Sequence, residues 1–339
     1  MFVERLAVIC VLQTYRPYGP MIGLVFYGCS LELLLQKCLL FFHWYCNIRF
    51  QICRSDVYGQ TLNFLLFTFE LMIITLLTDF GITDEYVGVM KGTILSVNPC
   101  ATIVDITHHI DPQDLVQAAY MLESSYKYFP EGTVHLAVVD PGVGSDRAIL
   151  AVETEGHILL APNNGILTLL LSETKADMII QVDNSDYFSE SVSQTFHGRD
   201  IFAPVAAHIT MGVEINRLGT LMNHNDLVYL DIRKPYLSDE GALVGTVISV
   251  DRFGNLITNI DLNCLENFCK ADLDKILEIE INKNRISGLS QSYAGAGSQS
   301  PLAIVGSRGY LEIAVNCGSA EKIFKAGKGN SIKVLGFRS

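Results

Sequence analysis

From Met72 onward, short apolar runs rich in β-branched residues alternate with helix-like stretches, and the runs end in acidic turn residues. Ile73-Ile74-Thr75-Leu76-Leu77 stops at Thr78-Asp79-Phe80-Gly81, which reads as a buried strand with Asp79 at its carboxyl end. Thr83 or Asp84 is placed to cap a helix running towards Val97 and stopped by Asn98-Pro99. A second strand follows over Thr102 to Asp105. Asp111-Pro112 then opens a helix with Leu115, Ala118, Ala119 and Leu122 on one face. Val134 to Val139 is a third strand, ending in Asp140-Pro141-Gly142-Val143-Gly144. Ile158 to Leu160 is another, and Asp200 to Met211 reads as a helix. Such alternation demands an α/β domain with a largely parallel central sheet, and sheets of this kind bind ligands beyond the carboxyl ends of their strands.

The texture changes after about residue 232. Short apolar runs recur at Leu243–Val250, Ile257–Ile260, Ile276–Ile281, Leu302–Val305, Tyr310–Val315 and Ile332–Leu335, with Gly and Asn between them. The expectation is a smaller all-β, barrel-like C-terminal domain. The boundary is expected within Asp231 to Glu240, giving domains over 72–232 and 240–339, with residues 285–300 as a Gly- and Ser-rich surface loop.

Residues 1–71 are different material. They hold five of the nine cysteines and the only tryptophan, Trp44, and their charges nearly cancel, whereas the whole chain carries a formal net charge of −12. Met21 to Phe42 is long enough to span a bilayer but contains Glu32 and Lys37. Leu62 to Leu77 is short and carries Glu70, so a membrane role is not expected unless this extension is a genuine anchor. Met72 reads as the natural start, with 1–71 outside the fold. The acidic balance argues against a nucleic-acid partner and fits a small-molecule substrate. No Cys-x-x-Cys spacing occurs, so no metal is expected, and a reducing cytoplasm is the expected compartment.

Several segments bring chemically useful groups to turns. Asp140 is followed by two glycines and, seven residues on, by Arg147, where the chain can return beside the carboxylate. Phe196-His197-Gly198-Arg199-Asp200 presents a histidine at a loop–helix junction. His108-His109 follows a strand, but neighbours on extended chain point apart, which favours one buried and one exposed ring over a metal pair. Arg252-Phe253-Gly254-Asn255 is a turn whose Asn255 amide can both donate to and accept from a heterocycle. Ser307-Arg308-Gly309-Tyr310 leads into Leu311-Glu312-Ile313-Ala314-Val315-Asn316. A dinucleotide-binding glycine pattern, a P-loop and a serine nucleophile elbow are all absent.

Taken in order, Ile74–Gly81, Val139–Gly144, Ala161-Pro162-Asn163-Asn164-Gly165, Phe196–Asp200, Phe253–Asn255 and Leu311–Asn316 resemble the S-adenosyl-L-methionine (SAM) hydroxide adenosyltransferases. These are hydrolytic relatives of the fluorinating and chlorinating enzymes. The resemblance covers about residues 72–339. It implies hydrolysis of SAM to adenosine and L-methionine without a cofactor. It also implies a homotrimer whose sites lie between the N-terminal domain of one subunit and the C-terminal domain of its neighbour. The family's Asp–Arg–His set falls on Asp140, Arg147 and His197, with either Asp140 or His197 taking the proton from water. Asp79 falls where the ribose hydroxyls are held, and Asp84, three residues beyond that motif, is counted with the substrate-binding residues. Asn255 and the Val315–Cys317 backbone fall at the adenine. Asp251, Ser307 and Arg308 fall near the methionine end, and Tyr293 falls where an aromatic ring lines the nucleoside. Glu312 lies in a site-forming motif. Halide transfer to the same carbon is the alternative. The halogenating relatives lack the Asp–Arg–His set, and the fluorinating ones carry an insert for which Arg147 to Ala161 leaves no room. A nucleoside-binding protein without turnover is a further alternative.

Overall fold

A computed structural model of the chain describes residues 73–270 and 275–338, together with the backbone of strand segments between Ile9 and Phe69. The expectations for residues 1–71 as an extension or anchor otherwise lie outside the described residues. Among the described residues no helix is long and apolar enough to cross a membrane. The chain divides into two compact units at Tyr229/Leu230.

The first unit is built on a seven-stranded sheet. Its strands are β1 (Ile73–Thr78), β2 (Thr102–Thr107), β3 (Val134–Val138), β4 (Ile149–Thr154), β5 (His157–Pro162), β6 (Met178–Val182) and β7 (Gly219–Leu221), in the order β7-β6-β4-β5-β3-β1-β2. The four strands β2, β1, β3 and β5 are mutually parallel, while β4, β6 and β7 join antiparallel. Every residue of β1 and β3 is buried, as a parallel strand covered on both faces requires. Alternation then sorts their side chains. Ile74, Leu76, Leu136 and Val138 pack with Met90 and Ile94 of α1 (Tyr86–Val97) and Val205 of α4 (Ala203–Thr210). Leu77, Ala137 and Val139 pack on the other face with Ala118 and Leu122 of α2 (Leu115–Ser125) and Leu170 of α3 (Thr168–Glu173).

Local details depart from the sequence expectations. Neither Thr83 nor Asp84 caps α1: Glu85 occupies the cap position and no side chain bonds there. Asp111-Pro112 lies in a turn, and α2 is capped instead by Asp114, whose side chain accepts from the Gln117 N–H. The helix expected over Asp200 to Met211 begins earlier, as a π-helical turn over Gly198–Phe202 that runs into α4. Strand β4 was not anticipated. It pairs with β5 through a two-residue turn in which Glu155 (φ 48°) and Gly156 (φ 76°) are both left-handed, the geometry that tight hairpins favour.

The second unit is an all-antiparallel sheet. Its strands are β8 (Tyr236–Leu237), β9 (Leu243–Val250), β10 (Leu256–Asp261), β11 (Lys275–Ile281), β12 (Asn284–Ser287), β13 (Pro301–Val305), β14 (Tyr310–Val315) and β15 (Ser331–Arg338). The order is β12-β11-β15-β9-β10-β14-β13, with β8 beside β9. The end strands β12 and β13 lie side by side, so the sheet nearly closes into a barrel. Its interior is filled by Val247, Leu256, Ile279, Leu311, Ile313 and Ile332. The six expected strands are all present. The amphipathic helix α5 (Leu262–Lys270) was not expected; it buries Leu265 and Phe268 against this core.

Candidate active site

Strand order places the site. From β1 the chain crosses to β2 on one side and then to β3 on the other, so the crevice beyond the carboxyl ends of β1 and β3 is a topological switch point. Asp79 immediately follows β1, and Asp140 follows β3 by two residues. An open cleft of about 380 Å³ is lined by both, with Phe80, Tyr86, Gln113 and Val143. Asp79 is oriented by the backbone N–H of Gln113, 2.8 Å from its Oδ2. Gln113 sits at φ 67°, a left-handed position that aims this N–H back at the strand end.

Asp140, Arg147 and His197 meet as one constellation. Arg147 Nε lies 2.7 Å from each Asp140 carboxylate oxygen, and its Nη2 also donates to Asp140 Oδ2. The same Nη2 lies 3.0 Å from His197 Nδ1. The Asp140 and Arg147 side chains are only 5% and 9% exposed, so the pair is held largely out of solvent. A guanidinium carries donors only, so His197 Nδ1 is the acceptor and the neutral ring carries its proton on Nε2. Burial, and then the Arg147 charge, push the His197 pKa below its ordinary value, against smaller opposing effects of Asp140 and Asp200. The neutral tautomer is therefore the one the surroundings favour.

The loops that carry these residues are built for close approach. Gly144 (φ 79°) has no room for a side chain: a Cβ there would lie 2.3 Å from the Gln194 carbonyl oxygen. The turn after β3 thus presses against the segment that delivers His197. Asn164 Nδ2 donates to the Val139 carbonyl at 2.8 Å, so the Ala161–Gly165 motif braces the chain just before Asp140. A cavity of about 170 Å³ adjoins Asp140 and His197. Phe80, Tyr86 and Phe196 form part of its wall and pack on one another with ring centroids 5.2–5.9 Å apart. Phe80 and Phe196 belong to motifs singled out in the sequence, though not for their rings, and Tyr86 carried no signal there.

Asp84 is exposed and stands outside this constellation. His108 is buried and His109 exposed, as the extended-chain argument required. The His108 ring lies 2.8 Å from Thr78 Oγ1. Among the described residues no cluster of three His, Cys, Asp or Glu is arranged to hold a metal ion.

The second unit gathers its own set. Asp251 Oδ1 accepts from the Phe253 and Asn255 N–H groups at 2.9 and 2.8 Å, and its Oδ2 accepts from Asn255 Nδ2 at 2.9 Å. The turn requires Gly254 (φ 82°), where a Cβ would meet Ser319 Oγ at 2.2 Å. Tyr293 donates its hydroxyl to Glu312 Oε2 at 2.9 Å. Burial raises the Glu312 pKa and the Asp251 charge adds to it, while the Tyr293 hydroxyl and the Arg308 charge oppose. Burial and Glu312 push the Tyr293 phenol up to about 12. Ser307 and Arg308 are exposed in the turn before β14. Val315 is buried at the end of β14, and Cys317 follows at φ 57°.

Such a fold and constellation define a class of α/β protein with a charged Asp–Arg–His cluster at the carboxyl edge of its parallel strands, followed along the chain by an all-β, barrel-like domain. Comparison with known proteins makes this definite. The model of the SAM hydroxide adenosyltransferase N-terminal domain matches residues 74–219, and that of the C-terminal domain matches residues 245–333. A Thermus thermophilus (R)-S-adenosyl-L-methionine hydrolase is 34% identical over 267 residues, 76% of this chain and 98% of that protein. A fluorinase from Nocardia brasiliensis is 31% identical, covering 77% of this chain and 96% of its own. The crystal structure of an uncharacterized conserved protein from Thermotoga maritima superposes with a TM-score of 0.72 at 35% identity, over 77% of this chain and 99% of that one. The chain belongs to the SAM hydroxide adenosyltransferase family.

Proposed function

We infer that the protein hydrolyses S-adenosyl-L-methionine to adenosine and L-methionine. The observation that carries this reading is the Asp140–Arg147–His197 constellation at the carboxyl edge of the parallel strands, in a chain that matches SAM hydrolases along most of its folded length. The sulfonium makes the 5′ carbon electrophilic and leaves as a neutral thioether, so no acid is needed on that side. A water oxygen attacks the 5′ carbon, the carbon–sulfur bond breaks with its electron pair going to sulfur, and the water's proton is released. Water is a poor nucleophile, with a bulk pKa of about 15.7, so positioning and charge stabilisation are the protein's task.

The geometry suggests a division of labour. The Nδ1 of His197 is already committed to Arg147, which leaves the Nε2 proton as a donor that orients the water oxygen. Arg147 stabilises the negative charge developing on that oxygen, and Asp140 accepts the proton. Asp79 holds the ribose hydroxyls. In the second unit, Asn255 and the Val315–Cys317 backbone read the adenine, Tyr293 lines the nucleoside, and Asp251, Ser307 and Arg308 serve the methionine end.

The reading requires no metal or cofactor, takes a homotrimer as the working form, and places the protein in the cytoplasm. Halide transfer is disfavoured because the Asp140 carboxylate would repel a halide at the attacking position. Turnover in ¹⁸O-labelled water tests the reading: the label enters the 5′ oxygen of adenosine and not methionine. Adenosine formed without label would overturn attack by water.

A further inference from the structure

We propose that Asp200 is a positioning residue for the reaction, acting through the loop that carries His197; this rests on the hydrolytic reading above. Asp200 is 2% exposed, and each of its polar groups ties down part of residues 189–199. The carboxylate takes a fork from its neighbour, with Arg199 Nε 2.5 Å from Oδ1 and Arg199 Nη2 2.8 Å from Oδ2. The same Oδ2 accepts the backbone N–H of Ser193 at 2.8 Å. The Asp200 carbonyl accepts the Ser189 N–H at 2.9 Å, and its own N–H reaches the Phe196 carbonyl at 3.2 Å. Ser193 passes the constraint on, because its Oγ accepts the Phe196 N–H at 3.0 Å.

Both ends of this clasp reach reacting groups. Ser193 directly precedes Gln194, whose carbonyl abuts Gly144 in the turn between Asp140 and Arg147. Phe196 directly precedes His197. The Arg199 guanidinium, besides gripping Asp200, lies 5.3 Å from the centre of the Phe196 ring, which forms part of the cavity wall. All this occurs at a π-helical turn, an irregularity that helices carry at functional sites. A regular α-turn at Gly198–Phe202 would change the spacing between the His197 ring and the Asp200 anchor. Buried carboxylates are retained only where donors satisfy them, and here every donor bound belongs to the His197 loop or to Arg199. Burial works to raise the Asp200 pKa, but the Arg199 fork and Ser193 overcome it and hold the carboxyl below its ordinary range, so the clasp stays charged at neutral pH.

The test is a double-mutant cycle on the full chain, with SAM turnover and SAM binding read separately. Asp200→Asn keeps the shape but exchanges an acceptor oxygen for a donor. Arg199→Lys, at a partly exposed position, keeps the charge but loses the fork. In the native background each lowers kcat by roughly tenfold or more, as a displaced reacting group demands, with the SAM Kd changed by less than about threefold. In a His197→Ala background the same substitutions change the residual rate by less than about twofold, because there is no longer an imidazole to position. Equal losses in both backgrounds, or native kcat in either variant, would overturn the proposal. Should Asp200→Asn fail to fold, Arg199→Lys decides alone. Adenosine production by the unaltered protein tests the underlying reading separately, so failure of one is distinguishable from failure of the other.

Discussion

The contact between Gly144 and Gln194 allows a magnitude to be worked directly from the structure. In Gly144→Ala the new Cβ would sit 2.3 Å from a backbone carbonyl oxygen, so turn and loop must separate by about 1 Å to restore ordinary contact. The substitution also places alanine at φ 79°, which costs about 1–2 kcal/mol, or roughly 2–8 °C in Tm for a domain of this size. The displaced segment is the one that delivers His197 to Arg147. A shift of about 1 Å at a reacting group costs on the order of 100-fold in rate, while the end of β1 at Asp79, to which the ribose is assigned above, is not touched. We therefore expect kcat to fall about 100-fold, the SAM KM to move less than threefold, and the circular dichroism spectrum to stay native. Gly132→Ala is the control: it has the same left-handed backbone (φ 83°) but nothing within 4 Å of its added Cβ. It carries the conformational cost alone and keeps native kcat. Turnover of Gly144→Ala within twofold of the native rate, or equal loss in both variants, would refute the reasoning.

Other outcomes follow from the same geometry. Asp140→Ala, Arg147→Ala and His197→Ala are each expected to cut kcat by at least about 100-fold with native circular dichroism spectra; near-native turnover in all three would remove the water-activation assignment. Because burial and Arg147 depress the His197 pKa, kcat/KM stays flat as pH falls to about 6.5 and declines only below it; an acid limb centred above 7 would contradict the neutral-ring assignment. The buried His135–His157 pair predicts acid lability. Its ring nitrogens lie 3.2 Å apart, among Thr75, Tyr126, Phe129, Glu131 and Glu155, and burial followed by His157 pushes the His135 pKa down to about 3. The unfolded chain binds these protons first, so stability is full above about 6.5 and is lost as pH falls towards 3. Denaturant melts of His135→Phe should lose most of that slope, and an unchanged slope would exclude the pair as its source.

Much of this was legible in the sequence because local chemistry and final geometry agree. The run Ile73–Leu77 is apolar except for Thr75 and is buried throughout, as a strand covered on both faces demands, and its abrupt end at Asp79 marks the carboxyl edge of the sheet. Asp140 and Arg147 could be paired from the sequence because a glycine-rich turn returns the chain within seven residues. The strands of the second unit were readable from their alternation with Gly and Asn. What was not legible depended on long-range contact or on left-handed backbone. Strand β4 hides because the Glu155-Gly156 turn lacks the Asn-Gly or Asp-Gly signature. The cap on α2 moved to Asp114 because Gln113 adopts a left-handed conformation to reach Asp79. The role of Gly144 arises from segments fifty residues apart in sequence meeting in space, and that of Asp200 from a loop that folds back on it over residues 189–199, which the residue types of the motif do not reveal.

The most direct measurement is incubation of the full chain with S-adenosyl-L-methionine, with and without added chloride or fluoride, followed by chromatographic separation of the nucleosides. The account predicts adenosine and L-methionine in equal amounts in every sample, with no dependence on halide. A 5′-halogenated nucleoside appearing only when halide is present, or tight SAM binding with no product at all, would contradict it.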